Sequence, residues 1–240
     1  TDSSTSHHAN SMTKRFAEFA VSIILLNSPE IEDLVINQLN EISVDVVELL
    51  EKISREFGSQ EMRYVLMINN LYLISSTIQQ RAQIQVQNID SKPFLVSEFF
   101  RIKLADYTAY FVDLVIQINF PDLVDTVRRA FSQIESKDPP IQSGFTENQL
   151  KGIAIDFKET HIKKMMAISE SMMLKFGNFL NGKMILQLIA KRIVLYWVKF
   201  DQLCHFLIKG SPAWFANLIS TQQLALDIKP MTDTFYSGNK

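Results

Sequence analysis

Apolar residues recur every three or four positions along most of this chain, and no stretch of any length alternates apolar with polar residues. The first spacing is typical of amphipathic helices, whereas alternation would be typical of strands. Turn-forming residues interrupt the helical pattern at several points. The pattern therefore predicts an all-α fold, an elongated antiparallel helical bundle or stack of bundles, with helices at 12–26, 29–57, 59–81, 94–120, 123–134, 146–180 and 183–209 and one or two short helices after them.

The apolar positions of each helix predict which side faces the core. In the first helix, the residues that share one stripe are Phe16, Phe19, Ala20, Ile23 and Ile24. The third helix is apolar nearly all round, which is typical of a helix in the middle of a bundle. The predicted core stripe of the second helix consists of Ile31, Leu34, Val35, Leu39, Ile42, Val46, Leu49, Leu50, Ile53 and Phe57, and that of the fourth of Phe99, Ile102, Ala105, Tyr110, Leu114 and Ile118.

Residues at the predicted helix ends support these limits. Ser28 and Ser59 are predicted N-caps, and Thr146 opens a Thr-x-x-Gln capping box. Gly58 and Gly210 are predicted to end helices in the left-handed conformation.

A cluster of turn formers near the middle of the chain suggests a division into two bundles. We expect a flexible leader at 1–11, an N-terminal helical bundle at 12–135, a loop at 136–146 and a C-terminal helical bundle at 147–240. The 240 residues could also form one continuous domain, because a single core of that size is common.

Composition narrows the functional classes. The formal net charge of −2 argues against a nucleic-acid partner, which would require a positive field. The single cysteine, Cys204, can form neither an internal disulfide nor a zinc site of paired cysteines, so we expect a reducing, cytosolic compartment. No apolar run is long enough to predict a membrane span.

Side chains with catalytic potential form no recognisable constellation, so we expect no enzyme activity, cofactor or metal. Cys204 and His205 point about 100° apart on a helix, which disfavours a nucleophile and base pair and suggests a core cysteine beside a half-exposed histidine. His161 lies near Lys163 and Lys164, and this polar context predicts a solvated helix face.

Two stretches could bind a partner. Met165, Met166, Met172 and Met173 could line a groove for a helix, although such pairs more often fill a core. The segment 183–199 mixes four cations with two aromatic residues, which would suit anionic lipid or an acidic partner; its cations are Lys183, Lys191, Arg192 and Lys199.

Four stretches carry a resemblance to a known family. They are residues 14–20 (KRFAEFA), Phe57 followed by 65–70 (VLMINN), 176–182 (FGNFLNG), and Leu195-Tyr196 followed by Phe200. In this order and spacing they resemble the C-terminal region of the vacuolar protein sorting-associated protein fifty-two family, a subunit of the Golgi-associated retrograde protein (GARP) tethering complex. The resemblance covers roughly residues 13–240 and implies a fold similar to helical-rod subunits of tethering complexes.

The resemblance also implies a function. The family tethers vesicles in endosome-to-trans-Golgi retrograde transport, with sister tethering-complex subunits, GTP-bound Golgi Rab proteins and SNARE proteins as implied partners. It implies a peripheral location on the cytosolic face of the trans-Golgi network and endosomes. A peripheral domain that binds anionic lipid is the alternative, and an enzyme on a helical scaffold has no supporting motif.

Asn178, Asn181, Lys183, Lys191 and Arg192 are the candidate partner-binding residues, because they are polar or charged and lie in or beside the most family-like segment. A structural role is favoured for Asn181-Gly182, which is predicted to adopt the left-handed conformation where two long helices meet. Asn69 and Asn70 lie in an apolar helix, so their amides must find hydrogen-bond partners and could fix its register.

Overall fold

The computed structural model describes residues 9–26, 30–81, 92–135, 144–176 and 179–233. Within them the chain forms eight α-helices, one short 3₁₀ helix and no strand, which confirms the all-α prediction. The helices are α1 (Ser11–Leu26), α2 (Glu32–Ser54), α3 (Gln60–Arg81), α4 (Lys92–Asn119), α5 (Pro121–Glu135), α6 (Glu147–Lys175), α7 (Phe179–Leu207), the 3₁₀ helix Ala213–Asn217 and α8 (Thr221–Asp233).

The chain divides into two compact units, Thr1–Phe111 with Lys175–Asn181, and Val112–Leu174 with Gly182–Lys240. The boundary therefore falls inside α4 and again next to the α6–α7 junction, whereas the turn formers had placed it at the loop 136–146. A turn signal marks where the chain reverses, but contacts between distant segments decide which helices share a core. Residues 1–8 of the predicted leader and most of that loop lie outside the described residues.

In the first unit α3 is the central helix, as its composition predicts. α1 and α2 both contact α3, and every residue from Val65 to Leu71 is buried. α1 adds Ala17 and Ala20 to the core, and α4 adds Phe100, whose ring meets Phe16 edge to face at 5.8 Å.

The double asparagine of α3 does find partners, as its burial requires. Asn70 Oδ1 accepts a hydrogen bond from the Asn10 backbone N–H at 3.0 Å, and its Nδ2 donates to the Leu66 carbonyl at 2.8 Å. The Thr13 hydroxyl lies 2.7 Å from both Asn70 Oδ1 and Asn10 Oδ1. Asn69 Nδ2 donates to the Lys175 carbonyl at the end of α6, 3.1 Å away. These bonds connect α3 to the first turn of α1 and to the last turn of α6.

The predicted core stripes of α1, α2 and α4 are partly wrong. Phe19 of α1 is exposed, while Thr13, Ala17 and Val21 are buried. In α4, Ile102, Ala105, Tyr110 and Ile118 are exposed. α2 turns Ile36, Leu39, Val47 and Leu50 inward and leaves Leu34, Ile42 and Leu49 exposed; Ile31, immediately before the helix, is exposed as well.

The second unit has an aromatic core. The Phe157 ring of α6 stacks on Trp197 of α7 at 4.2 Å, and it also meets Phe120 at 5.5 Å. Trp197 Nε1 donates to the Ile219 carbonyl at 2.8 Å, which satisfies the indole N–H of this fully buried residue. α8 packs on this core and continues through Pro230; its buried residues are Leu224, Ile228 and Met231.

The capping predictions have mixed outcomes. Ser59 and Thr146 accept backbone N–H bonds at 3.5 and 3.3 Å, which confirms them as N-caps. Gly210 has φ of 88°, which confirms the left-handed conformation there. The prediction for Gly58 is wrong, because α2 ends with Arg55 in the right-handed conformation and Gly58 has no positive φ. Ser28 lies outside the described residues.

The break between the two longest helices lies earlier than predicted. α6 ends at Lys175 and α7 begins at Phe179, so Asn181-Gly182 is helical and the left-handed prediction for it is wrong. Phe176, between the helices, is buried and meets the Phe111 ring edge to face at 5.4 Å.

Candidate partner-binding groove

A groove of about 250 Å³ lies between α5 and α7 in the second unit. Its eight lining residues combine three cations, two aromatic rings and two aliphatic side chains, and none of them is a carboxylate. They are Val127, Arg128, Phe131, Ser132, Arg192, Leu195, Tyr196 and Lys199, and we call this site the α5–α7 groove.

α5 supplies one wall of the groove. Pro121 begins the helix, where its missing N–H costs nothing, and Asp122 lies in the first turn, where the helix dipole favours a negative charge. Val124 and Val127 face the core. Because side chains three apart share a side of a helix, Arg128 and Phe131 come together on the flank of α5.

α7 supplies the opposite wall. Ile189, Ile193 and Trp197 are fully buried and fix which side of this helix meets the core. Leu195, Tyr196 and Lys199 lie three, four and seven positions after Arg192, so the four residues share the flank next to that buried side.

Hydrogen bonds and ring contacts position the three cations. Arg128 Nε donates to Tyr196 Oη at 3.2 Å, and its Nη1 donates to Gln117 Oε1 at 2.8 Å. Lys199 Nζ lies over the Phe131 ring, 4.6 Å from its centroid. Arg192 is the only one of the three with a carboxylate partner in the described residues, since its Nη1 lies 3.5 Å from Asp113 Oδ1.

The Asp113–Arg192 pair is an ion pair without a hydrogen bond. Asp113 Oδ1 accepts none among the described residues, and both side chains are more than one-third exposed. An ion pair whose side chains are this exposed contributes at most about 1 kcal/mol, so it leaves Arg192 available to a second anion. Three cations around apolar and aromatic surface suit an acidic ligand that also buries an apolar side chain.

The structure places the five candidate partner-binding residues in different surroundings. Arg192 lines the groove. Lys191 is exposed and, one position before Arg192, points about 100° away from it. Lys183 is half-buried, and Asn181 is buried in the first turn of α7, where a structural role is favoured. Asn178 lies outside the described residues.

Residues of α5 were missed by sequence reasoning. Arg128 and Phe131 belong to the groove, yet 60 or more positions separate them from Arg192. The local signal was an arginine and an aromatic residue three apart on an amphipathic helix. Tyr196 and Lys199 were part of the predicted basic segment, and both line the groove.

Other candidate side chains form part of the fold. The prediction of a solvated face for His161 is wrong: this residue is buried, its Nε2 lies 3.1 Å from Asp227 Oδ2, and its Nδ1 lies 3.0 Å from the Phe157 carbonyl. Cys204 is buried and His205 is exposed, as predicted. Met165 and Met172 fill the core, whereas Met166 and Met173 are exposed.

The described parts of the chain hold no group of three or more histidine, cysteine, aspartate or glutamate side chains that could bind a metal ion. Over the same residues, no helix combines the length and the apolar character that crossing a bilayer requires.

Comparison with known proteins tests the family resemblance directly. Residues 1–100 match the family model described as "Vps52, C-terminal". The resemblance to the Vps52 C-terminal region is thereby confirmed. The match to the Vps52 model covers α1, α2, α3 and the start of α4, which is most of the first unit.

Full-length Vps52 relatives extend the similarity through the groove. The chain is 23% identical to the vacuolar protein sorting-associated protein 52 homologs of Canis lupus familiaris and Homo sapiens over 225 residues, 93% of this chain. It is also 23% identical to the vacuolar protein sorting-associated protein 52 A of Arabidopsis thaliana, over 95% of this chain. The chain spans only 30 to 31% of the length of these relatives. No solved structure matches it.

Proposed function

We propose that this chain is the C-terminal, protein-binding region of a subunit of the GARP vesicle-tethering complex, which acts in endosome-to-trans-Golgi retrograde transport. The similarity to Vps52 proteins over more than nine-tenths of the chain supports the assignment to the complex. The α5–α7 groove supports the binding role, since it concentrates three cations on apolar surface in a chain whose net charge is negative.

Sister subunits, a GTP-bound Golgi Rab protein and SNARE proteins are the proposed partners, and the cytosolic face of the trans-Golgi network and endosomes is the proposed location. Binding to a Rab protein would operate through an equilibrium. A GTPase has different switch surfaces in its two nucleotide states, so a domain that contacts those surfaces binds one state more tightly. Recruitment then follows the nucleotide without any chemical step in this chain.

The groove itself specifies the chemistry that a partner should present. Carboxylates would pair with Arg192 and Lys199, and an apolar side chain would lie against Leu195 and Phe131. Burying an aromatic or aliphatic anchor among charged contacts is the arrangement in which a few residues account for most of the binding free energy.

A Rab panel tests this proposal. The purified chain is titrated with Golgi and endosomal Rab proteins loaded with a GTP analogue or with GDP. We expect one GTP form to bind at least about tenfold more tightly than its GDP form, and Arg192→Glu with Lys199→Glu to weaken that binding by about 100-fold. The matched control is Lys191→Glu, an exposed charge reversal outside the groove lining.

Two results would contradict the proposal for the groove. The Lys191→Glu control could weaken nucleotide-dependent binding as much as the groove variant does. In that case the contact would lie elsewhere on the chain. The absence of nucleotide-dependent binding across the whole panel would reject the Rab partner, and the same groove variants would then be tested against the cytosolic segments of Golgi SNARE proteins.

Binding to anionic lipid is the second candidate function, favoured by Arg128, Arg192 and Lys199 on one groove. Lys183 contributes little to such a face, because nine positions along α7 place it about 180° from Arg192. Flotation with vesicles of phosphatidylcholine alone or with added phosphatidylserine measures this function. Binding only to the anionic vesicles, lost at high salt and in the groove variant, would favour lipid over protein.

A further inference from the structure

α2 has an apolar edge that the described parts of the chain leave uncovered. Leu34 is 65% exposed, and Ile42 and Leu49 are each more than one-third exposed, as is Ile31 immediately before the helix. The buried side of the same helix packs in the core of the first unit through Ile36, Leu39, Val47 and Leu50. α2 therefore carries more apolar surface than the described residues of its own unit bury.

The spacing of these residues is that of a coiled coil. Val35, Ile42 and Leu49 are seven positions apart, and each is followed four positions later by another aliphatic residue, namely Leu39, Val46 and Ile53. A two-stranded coiled coil needs this alternation of four and three over several turns. We call the stripe formed by these six residues the seam. On one edge of the seam Leu39 is fully buried, whereas Ile42 and Leu49 on the other edge face solvent.

Acidic side chains follow the open edge of the seam. Glu41, Asp45 and Glu48 are exposed and lie at intervals of four and three residues. In total α2 contains six acidic residues and one basic residue, Lys52. In coiled coils the charges that flank the apolar seam select the partner through interhelical ion pairs.

We propose that the open face of α2, defined by Leu34, Ile42 and Leu49 with Glu41, Asp45 and Glu48, binds an amphipathic helix of another protein whose apolar stripe is flanked by lysine and arginine. This surface lies in the first unit and shares no residue with the α5–α7 groove. The proposal goes beyond the proposed function and does not depend on a Rab, SNARE or lipid partner.

The charge of α2 decides between possible occupants. A second copy of this chain would set two acidic α2 faces against each other, and like charges across such an interface weaken it. An anionic membrane surface would repel Glu41, Asp45 and Glu48 in the same way. A basic helix gains both the apolar contact and the ion pairs.

Two synthetic peptides of about three heptads test the proposal. Both carry the same leucine and isoleucine seam, flanked in one by lysine and in the other by glutamate, and fluorescence anisotropy measures their binding to the complete chain. We expect the lysine peptide to bind and the glutamate peptide to bind at least about tenfold more weakly, with a difference that shrinks at high salt.

Substitutions on α2 locate the contact. Leu49→Gln is expected to weaken binding of the lysine peptide about tenfold. The triple charge reversal Glu41→Lys, Asp45→Lys and Glu48→Lys is expected to make the chain prefer the glutamate peptide. Val44→Gln is the matched control, since Val44 is 45% exposed but lies two positions from Ile42 and so points about 160° away from it. Circular dichroism checks that each variant is folded.

Equal binding of the two peptides, no binding of either, or equal sensitivity to Leu49→Gln and Val44→Gln would overturn the proposal. Sedimentation could instead show a dimer of the chain that Leu49→Gln dissociates. That result would assign the face to a second copy of the chain. If Leu49→Gln does not fold, the charge reversal alone decides, because all three of its side chains are exposed.

Discussion

The single cysteine of the chain is chemically protected by its surroundings. Cys204 is fully buried. Burial, with a smaller contribution from the negative charge of Asp201, raises the pKa of the Cys204 thiol to about 12. The reactive species is the thiolate, which needs a pH near or above that pKa. The native thiol is therefore neutral throughout the physiological range.

A labelling experiment tests this protection. At pH 8 we expect iodoacetamide to leave Cys204 unmodified in the folded chain, because the thiol is both neutral and inaccessible, and to modify it fully once urea unfolds the protein. Mass spectrometry gives a clean readout, since the sequence contains one cysteine. Equal labelling rates with and without urea would show that the thiol is not protected.

Residue environments were predictable where the neighbours in sequence determine them. Cys204 lies in an apolar helix, so its burial was expected. Asn70 was also expected to need partners, but the sequence could not reveal that Asn10 would be one of them. His161 shows the limit most clearly, because its local context is polar and its partner Asp227 is 66 positions away. Tertiary contacts override local context at such sites.

Among the helices, the asparagine contacts of α3 link separate elements. Asn70 accepts the Asn10 N–H at the start of α1 and donates to Leu66 within α3. Asn70→Ala removes these two bonds and a third, from the Thr13 hydroxyl, so the polar groups at the first turn of α1 lose this acceptor. We expect a loss of about 1–3 kcal/mol in the free energy of unfolding, measured by urea denaturation.

The control for this prediction is Asn37→Ala, since Asn37 is exposed on α2. It should change the free energy of unfolding by no more than about 0.5 kcal/mol. If Asn70→Ala were equally mild, the bonds of Asn70 would contribute nothing net to the stability of the first unit.

The helices themselves were easier to predict than the sides they bury. Apolar spacing identified α2, but it could not separate the stripe of Ile36 and Leu50, which meets the core, from the stripe of Ile42 and Leu49, which does not. Periodicity reports that a helix has apolar sides, while the packing of other helices selects among them. Only the α7 side of the α5–α7 groove was predicted, for a related reason. Its residues form a local sequence pattern, whereas the α5 side comes from a distant segment of the chain.

In the whole chain, the net charge of −2 conceals two opposite local charges. α2 carries six acidic residues against one basic residue, whereas the α5–α7 groove gathers three cations. Surfaces of opposite charge attract different partners. Surface charge affects the rate and specificity of association, and it has little effect on the fold. The proposed Rab contact and the proposed basic helix should therefore be separate binding events.

Combined variants test this separation. Arg192→Glu with Lys199→Glu should weaken binding of the Rab protein and leave binding of the lysine peptide unchanged. Leu49→Gln should weaken binding of the lysine peptide and leave binding of the Rab protein unchanged. The two surfaces belong to different compact units and share no residue, so we expect the changes in binding free energy to add within about 0.5 kcal/mol when all three substitutions are combined.

Isothermal titration of each ligand alone and in the presence of the other measures the coupling. Unchanged affinities would mean that one chain can hold a Rab protein and a basic helix at the same time. A weaker or stronger second binding event would show coupling between the sites, which by linkage must be equal in both orders of addition. If the α2 substitution alone abolished Rab binding, the Rab contact would have to include α2. The prediction that the acidic and basic surfaces bind different partners would then be wrong.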